Sequence, residues 1–496
     1  MPDFPTVGPS AADAAVRADT LLCADRQFGD SAAIDQRNLA RFRLGLAMLA
    51  RKDGTDAPAL RTTAARTDER LRPLLYDPVL RHCFEDDILR LENGTLDRGA
   101  LGAHLAGLPV TDASSTGPCE RLTRPHRRAW PGLGDAWILT EPAPRGTADG
   151  KLGARLMELY RGALADSRAP GPVAPTDAAR ATLREGAELL VALMPETGAS
   201  VLRHVSMVGF ARRESREGPL QSMSGGDPLP SSLLLAPERC ATPWLAAESL
   251  LHEGSHLKLF DALRTGSVVR NATEQVPIPW RTGSWTVIRV FVALHFYVHL
   301  LVLRAAAATA GAAVRRRFGP PPPAEALDEP TPGTPAARQG RYRTGAERAR
   351  YLAGRVLSLP DEALTENGHR LARLLLTTLR LVDADAPPPR DRPAAAGPRP
   401  GPVGPGGTLQ RVTPVDACAL PALGQLLVST AGSARMHWLN SRAWTVYSLC
   451  DGRDLDSLYA AYARAAGLSA GSAEAGRHVS DSVRHLVASG LVTHAH

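Results

Sequence analysis

His252 and His256 stand one helical turn apart in the segment WLAAESLLHEGSHLKLFDALR, residues 244–264, with Glu253 beside the first. At i and i+4 of a helix two imidazoles project from one face and can share one metal ion. The plainer alternative is a pair of core histidines with ordinary hydrogen-bond partners. The apolar run around them favours the metal, because two histidines and a glutamate on a buried helix need partners that offset their desolvation.

The elements that must position this motif are readable. Thr242-Pro243 is a helix start, with Thr as N-cap and Pro at the first helical position. Leu245, Leu250, Leu251, Leu257, Leu259, Phe260 and Leu263 then predict a largely buried helix. Gly254 costs about 1 kcal/mol relative to Ala in mid-helix, and with Ser255 it leaves room on the flank for a second element. Just upstream, SSLLLAP, Ser231 to Pro237, reads as a strand.

A third ligand should follow. The metzincin pattern requires Gly and then His where this chain has Leu259 and Ala262, which excludes that class. Glu274 sits in a loop-like stretch leading to Pro277 and Pro279. His295, in the apolar helix VIRVFVALHFYVHLL, is the expected ligand, with His299 one turn later in reserve. Between the two helices, VPIPWRTGSW places Arg281 after a rigid Pro-Trp, where its guanidinium can clamp a carboxylate; Arg289 is the second such candidate.

At 496 residues, with 44% apolar residues and a formal charge of +7, the chain reads as a globular protein of more than one domain. Lys52, Lys151 and Lys258 are the only lysines, the arginines are dispersed and aromatics are sparse, so no nucleic acid partner is expected. No uninterrupted apolar window of about 18 residues exists to span a membrane. Cys23, Cys83, Cys119, Cys240, Cys418 and Cys450 are scattered without a CxxC pair, and the N-terminus lacks a basic-then-apolar signal. A cytoplasmic, reducing location follows as the expectation. The Pro/Gly-rich segment 385–407 reads as a linker, dividing a mainly helical metal-binding domain with a small sheet (1–384, core motif region 201–300) from a terminal module (408–496). The predicted class is α+β.

In that module Gln425 to Ser429 and Met436 to Leu439 read as strands. Ser441 to Leu449, Leu455 to Ala465 and Ser480 to Ala488 read as helices. This order, with WLNSRAWTVYSLCDGRDLDSLY and VRHLVASGLV, resembles the PqqD-like peptide chaperones, or RiPP recognition elements, which are winged-helix-like and bind leader peptides of ribosomally made precursors. A winged-helix DNA-binding module would compete, but SDSVRHLVASG has few basic residues for phosphates. The resemblance implies a leader groove between a strand edge at Leu426, Leu427 and Val428 and the third helix, with Val483, Arg484 and Val487 contributing. The large domain, from SLLLAPERCATPWLAAESLLHEGSHLKLFDAL, resembles the HExxH-motif peptide-modification family encoded beside such precursors.

That second resemblance implies a non-haem Fe(II), 2-oxoglutarate-dependent hydroxylase of peptide side chains. Metal ligation carries over to His252, His256 and His295, and co-substrate binding to Arg281 or Arg289. Two mechanisms then compete for one motif. In an oxygenase Fe(II) needs protein ligands on one face and open positions for a bidentate 2-oxo acid and dioxygen, and Glu253 works behind the ligands. In a zinc metallopeptidase Glu253 takes a proton from the metal-bound water and the precursor is cut. An inactive scaffold that presents the peptide is the third possibility, and partner modification enzymes are possible in each case.

Overall fold

A computed structural model describes residues 10–52, 54–106, 127–129, 136–139, 148–166, 169, 171–215, 218–270, 273–322, 341–389, 407–431, 434–469 and 471–495. The fold is α+β, helices with small sheets. The chain divides into two compact units: Met1–Asp35, Arg72–His82 and Pro109–Arg390 form the first, and Gln36–Leu71, Cys83–Leu108 and Asp391–His496 the second.

The N-terminal run is α1 (Ala11–Ala24), α2 (Ser31–Lys52), α3 (Ala57–Ala64), α4 (Asp68–Leu75), α5 (Pro78–Glu92) and α6 (Ala100–Ala106). Of these, α3, α6 and most of α2 and α5 belong to the second unit; the first unit continues with α7 (Ala148–Ala163), α8 (Asp177–Leu193), α9 (Pro195–Leu202), α10 (Pro243–Leu263), α11 (Val287–Ala308), α12 (Ala312–Phe318), α13 (Gly345–Ser358) and α14 (Glu366–Val382). Its main sheet contains β1 (Arg127–Ala129), β2 (Trp137–Leu139), β3 (Met207–Phe210), β6 (Ser222–Ser224) and β7 (Ser232–Leu235), in the order β1-β2-β3-β7-β6. Two small hairpins, β4 (Glu214–Ser215) with β5 (Gly218–Pro219) and β8 (Gln275–Pro277) with β9 (Ser284–Thr286), stand apart from it.

α10 is the hub of this unit. It is buried on nearly every side, which is what a helix apolar all round requires. Leu250, Leu251, Leu257 and Leu259 are almost fully buried, each contributing roughly 1.5–3 kcal/mol. Thr242 caps it as predicted, its hydroxyl accepting from the Leu245 N–H at 3.2 Å. α8 can pack so closely because Gly186 has no side chain: a Cβ there would lie 2.5 Å from that of Ala246. The flank left open by Gly254 is filled by α9, with Val201 about where a second element was expected; a Cβ on Gly254 would sit 3.3 Å from Val201 Cβ. α11 is long and apolar enough to cross a membrane, yet 67% of its apolar window is buried inside the protein, where it packs on α10 and α13.

A buried polar chain fixes α10 from beneath. The Arg81 guanidinium pairs with Asp261 and donates to Ser231 Oγ at 2.7 Å. Asp261 also meets His204 Nδ1 at 2.6 Å, and His204 Nε2 meets Ser31 Oγ at 2.9 Å. Ser231, held at φ +57, is thereby pinned at the entrance to β7.

The second unit carries β10 (Thr408–Arg411), β11 (Asp416–Leu420), β12 (Gln425–Ser429), β13 (His437–Leu439), β14 (Asp451–Arg453) and β15 (Val492–Ala495), with α15 (Ser441–Leu449), α16 (Leu455–Ala465) and α17 (Ala473–Ala488). Its sheets run β11-β12-β13 and β14-β10-β15, and Val428, Leu439, Val446, Leu458, Val479, Val483 and Leu486 form its core. Residues 36–71 and 83–108, expected in the domain that ends at 384, group here with the C-terminal residues. The joining contacts include an ion pair between Arg51 and Asp416, from residues no pattern links. Of the expected linker 385–407, residues 390–406 lie outside the described residues, as does Cys119. None of the other five cysteines forms a disulfide among the described residues.

Candidate metal centre

On α10 the ligand atoms of His252, Glu253 and His256 lie within 4.8 Å of one another. The two histidine rings are 4.9 Å apart. His252 is 33% exposed, so the pair opens toward solvent, while Glu253 is 3% exposed. Burial pushes the His256 imidazole down to about 4, so at neutral pH it is an uncharged donor, and its buried Nδ1 has no partner. A neutral imidazole with unspent hydrogen-bonding capacity fits a metal ligand.

Glu253 is differently placed. Burial raises its carboxyl, and the His256 ring, Ser222 and the Ser224 N–H act against that rise. Ser222 Oγ donates to Glu253 Oε1 at 2.7 Å. The pattern of β6 explains how. Gly225 donates to Ser232 O and Gln221 O accepts from Ala236, so the odd residues face β7 and the even ones, Ser222 and Ser224, turn their backbone groups to the free edge. Glu253 occupies that edge and ties it to the helix of the two histidines. His252 Nδ1 is 3.7 Å from Glu253 Oε1, too long for a hydrogen bond.

Across from the pair, α11 presents Phe296: its ring stacks on His252 at 3.6 Å and lies 6.0 Å from His256. His295, expected as third ligand, lies outside the group of His252, Glu253 and His256. It is buried beside His299, ring centroids 4.2 Å apart, with its Nδ1 unpartnered. His299 Nδ1 donates to the His295 carbonyl at 2.7 Å, which fixes the tautomer and leaves the Nε2 lone pair free. Burial lowers both imidazoles, His299 to about 3 and His295 well below its usual range, with Lys258 and His256 near enough to add to the effect. Lys258 itself is buried, its ammonium nitrogen without a partner. Glu274 is half-buried ahead of β8, also outside the group.

The two arginines expected to clamp a co-substrate stand apart in character. Arg289 is exposed, its guanidinium 4.7 Å from the Trp285 ring centroid. Arg281 is half-buried between β8 and β9, in a turn anchored by Trp280, which is buried among Trp285, Tyr342 and Tyr351. The loop read from its prolines is therefore an aromatic-backed hairpin.

In the second unit one expectation needs correcting. Leu426, Leu427 and Val428, expected at a strand edge, lie on β12, which is paired on both sides, by β11 and by β13, and cannot accept another strand. The outer strands are β11 and β13, each unpaired on one side among the described residues, and β13 is the one that follows directly into α15. Val483 is core, Val487 is partly buried against it, and exposed Arg484 is paired with Asp481 at 3.2 Å. Sequence reasoning missed Ser222 and Ser224, whose period-two spacing in QSMSGG was the available signal, and Phe296, for which there was none. Among known proteins, no family model matches the chain and no curated protein matches it.

Proposed function

We propose that the chain is a peptide-modifying metalloenzyme of ribosomal natural-product biosynthesis, hydroxylating a side chain of a precursor peptide with Fe(II) and 2-oxoglutarate. Its C-terminal module, PqqD-like and of winged-helix character, holds the precursor's leader. The observation that carries the reading is the engagement of Glu253 with Ser222 and Ser224 beside a half-exposed His252 and a neutral, buried His256. A general base must be free to reach the proton it abstracts, whereas a glutamate tied to a strand is suited to holding the helix and its histidines in place.

His252 and His256 would hold the ion, and Fe(II) bound there would supply the activation of dioxygen with a 2-oxo acid as electron source. Phe296 shields one face of the pair from water, and the exposure of His252 leaves an approach for substrate. The order of β11, β12, β13, α15, α16 and α17, with β13 free on its outer side among the described residues, supports a module that captures an extended peptide as an added strand.

Neutral imidazoles suit zinc as well, which makes a zinc metallopeptidase the second reading. Glu253→Gln separates the two. Under the oxygenase reading the variant keeps its metal and a substantial part of its turnover. A peptidase would lose nearly all turnover with metal retained, because its base is gone.

A further inference from the structure

At the start of β13 a cavity of about 620 Å³ is lined by Arg435, Met436, His437, Ala488 and Ser489 from the C-terminal module and by Glu92 and Asn93 from the end of α5. It adjoins the unpaired edge of β13 and the last turn of α17, where a peptide added to that edge would pass. The wall formed by Glu92 and Asn93 comes from a part of the chain more than 300 residues upstream of the strand it faces.

The polar groups in the cavity are unequally occupied. His437 Nε2 is buried without a hydrogen-bond partner. The Glu92 carboxylate is half-buried and makes no ion pair or side-chain hydrogen bond among the described residues. Arg435, exposed at the rim, has a partner of its own. The unspent capacity is therefore a carboxylate and an imidazole nitrogen, and a cationic donor complements the carboxylate and, in the tautomer with a bare Nε2, the imidazole as well. A guanidinium or ammonium on a flexible stem can reach inward from an extended backbone, and the volume exceeds what such a side chain fills.

We infer that Glu92, with His437, forms a specificity pocket for a lysine or arginine side chain of the peptide bound along β13. This rests on the reading of the C-terminal module as a peptide-capturing element and adds to it a selecting residue from outside that module. The backbone hydrogen bonds of an added strand carry no sequence information, so pockets of this kind must choose the register.

The test uses the full chain and a displayed library of random twelve-residue peptides. Selected peptides are re-synthesised and their affinities measured for the parent chain, Glu92→Gln and Glu92→Lys, with metal content as the folding check. The expected result is a basic residue at one fixed position, an affinity loss of about tenfold or more in Glu92→Gln, the scale of a charge-assisted hydrogen bond, and a preference for Asp or Glu there in Glu92→Lys. Peptides that bind without a basic position, or whose preference is unchanged in Glu92→Lys, overturn the pocket and leave peptide capture standing. Failure to select any peptide overturns both.

Discussion

Ser222 Oγ donates to Glu253 Oε1 at 2.7 Å, so the edge strand of the main sheet is fastened to the residue that lies between the two candidate ligands. The glutamate is thereby a structural tie. A double-mutant cycle with Ser222→Ala and Glu253→Ala, which removes the acceptor, should give a coupling energy of about 1 kcal/mol in denaturant unfolding, the net worth of a typical hydrogen bond. Additive losses would mean that the contact holds nothing.

Metal binding should divide the histidines into two classes. His252→Ala and His256→Ala each abolish stoichiometric Fe(II) or Zn²⁺, measured by elemental analysis after dialysis. His295→Ala retains a site weakened about 10- to 100-fold, the scale of groups acting behind a ligand. Complete loss in His295→Ala, with His299→Ala unaffected, would make His295 a ligand and require its ring to turn toward His256.

Much of this centre is legible in the sequence, and what is not has identifiable causes. Thr242-Pro243 and the apolar run fix α10, and SSLLLAP gives β7, because capping and periodicity are local. α11 is different: it is apolar all round, so no stripe sets its rotation, and a shift of one residue, 100° on a helix, decides whether His295 or Phe296 meets the pair. β11, DACAL, is short and weakly patterned, which hid the pairing that makes β12 central. The Arg51–Asp416 ion pair depends on tertiary placement alone.

Acid should loosen the base of α10 below about pH 4, after His256 at the metal site has taken up a proton. Arg81 and His204 hold the Asp261 carboxyl at about 2 against the opposing effect of burial. A depressed folded value means the stabilisation is fully present above the unfolded value near 4 and is lost as pH falls toward 2, amounting to roughly 2–3 kcal/mol. Asp261→Asn should remove that part of the pH dependence and cost about 3–5 kcal/mol at pH 7, because Arg81 is left buried and uncompensated. An unchanged unfolding midpoint between pH 5 and pH 2.5 in the parent chain would contradict it.

Peptide capture along β13 predicts an alternating sensitivity to backbone methylation. N-methyl groups at every second residue of a bound leader should weaken binding tenfold or more in one phase and little in the other, since only alternate N–H groups face the strand. A leader joined to its core peptide should lower the concentration for half-maximal modification by ~10²-fold relative to the leaderless core. Equal sensitivity in both phases would place the peptide elsewhere.

The most direct measurement is the mass of a precursor peptide after incubation with the full chain, Fe(II) and 2-oxoglutarate, in air and under anaerobic conditions, with succinate release followed in parallel. The account predicts a gain of one oxygen atom per modified residue, dependent on oxygen and 2-oxoglutarate, absent in His252→Ala and substantially retained in Glu253→Gln. Cleavage of the peptide chain, independent of oxygen and abolished by Glu253→Gln, would contradict it.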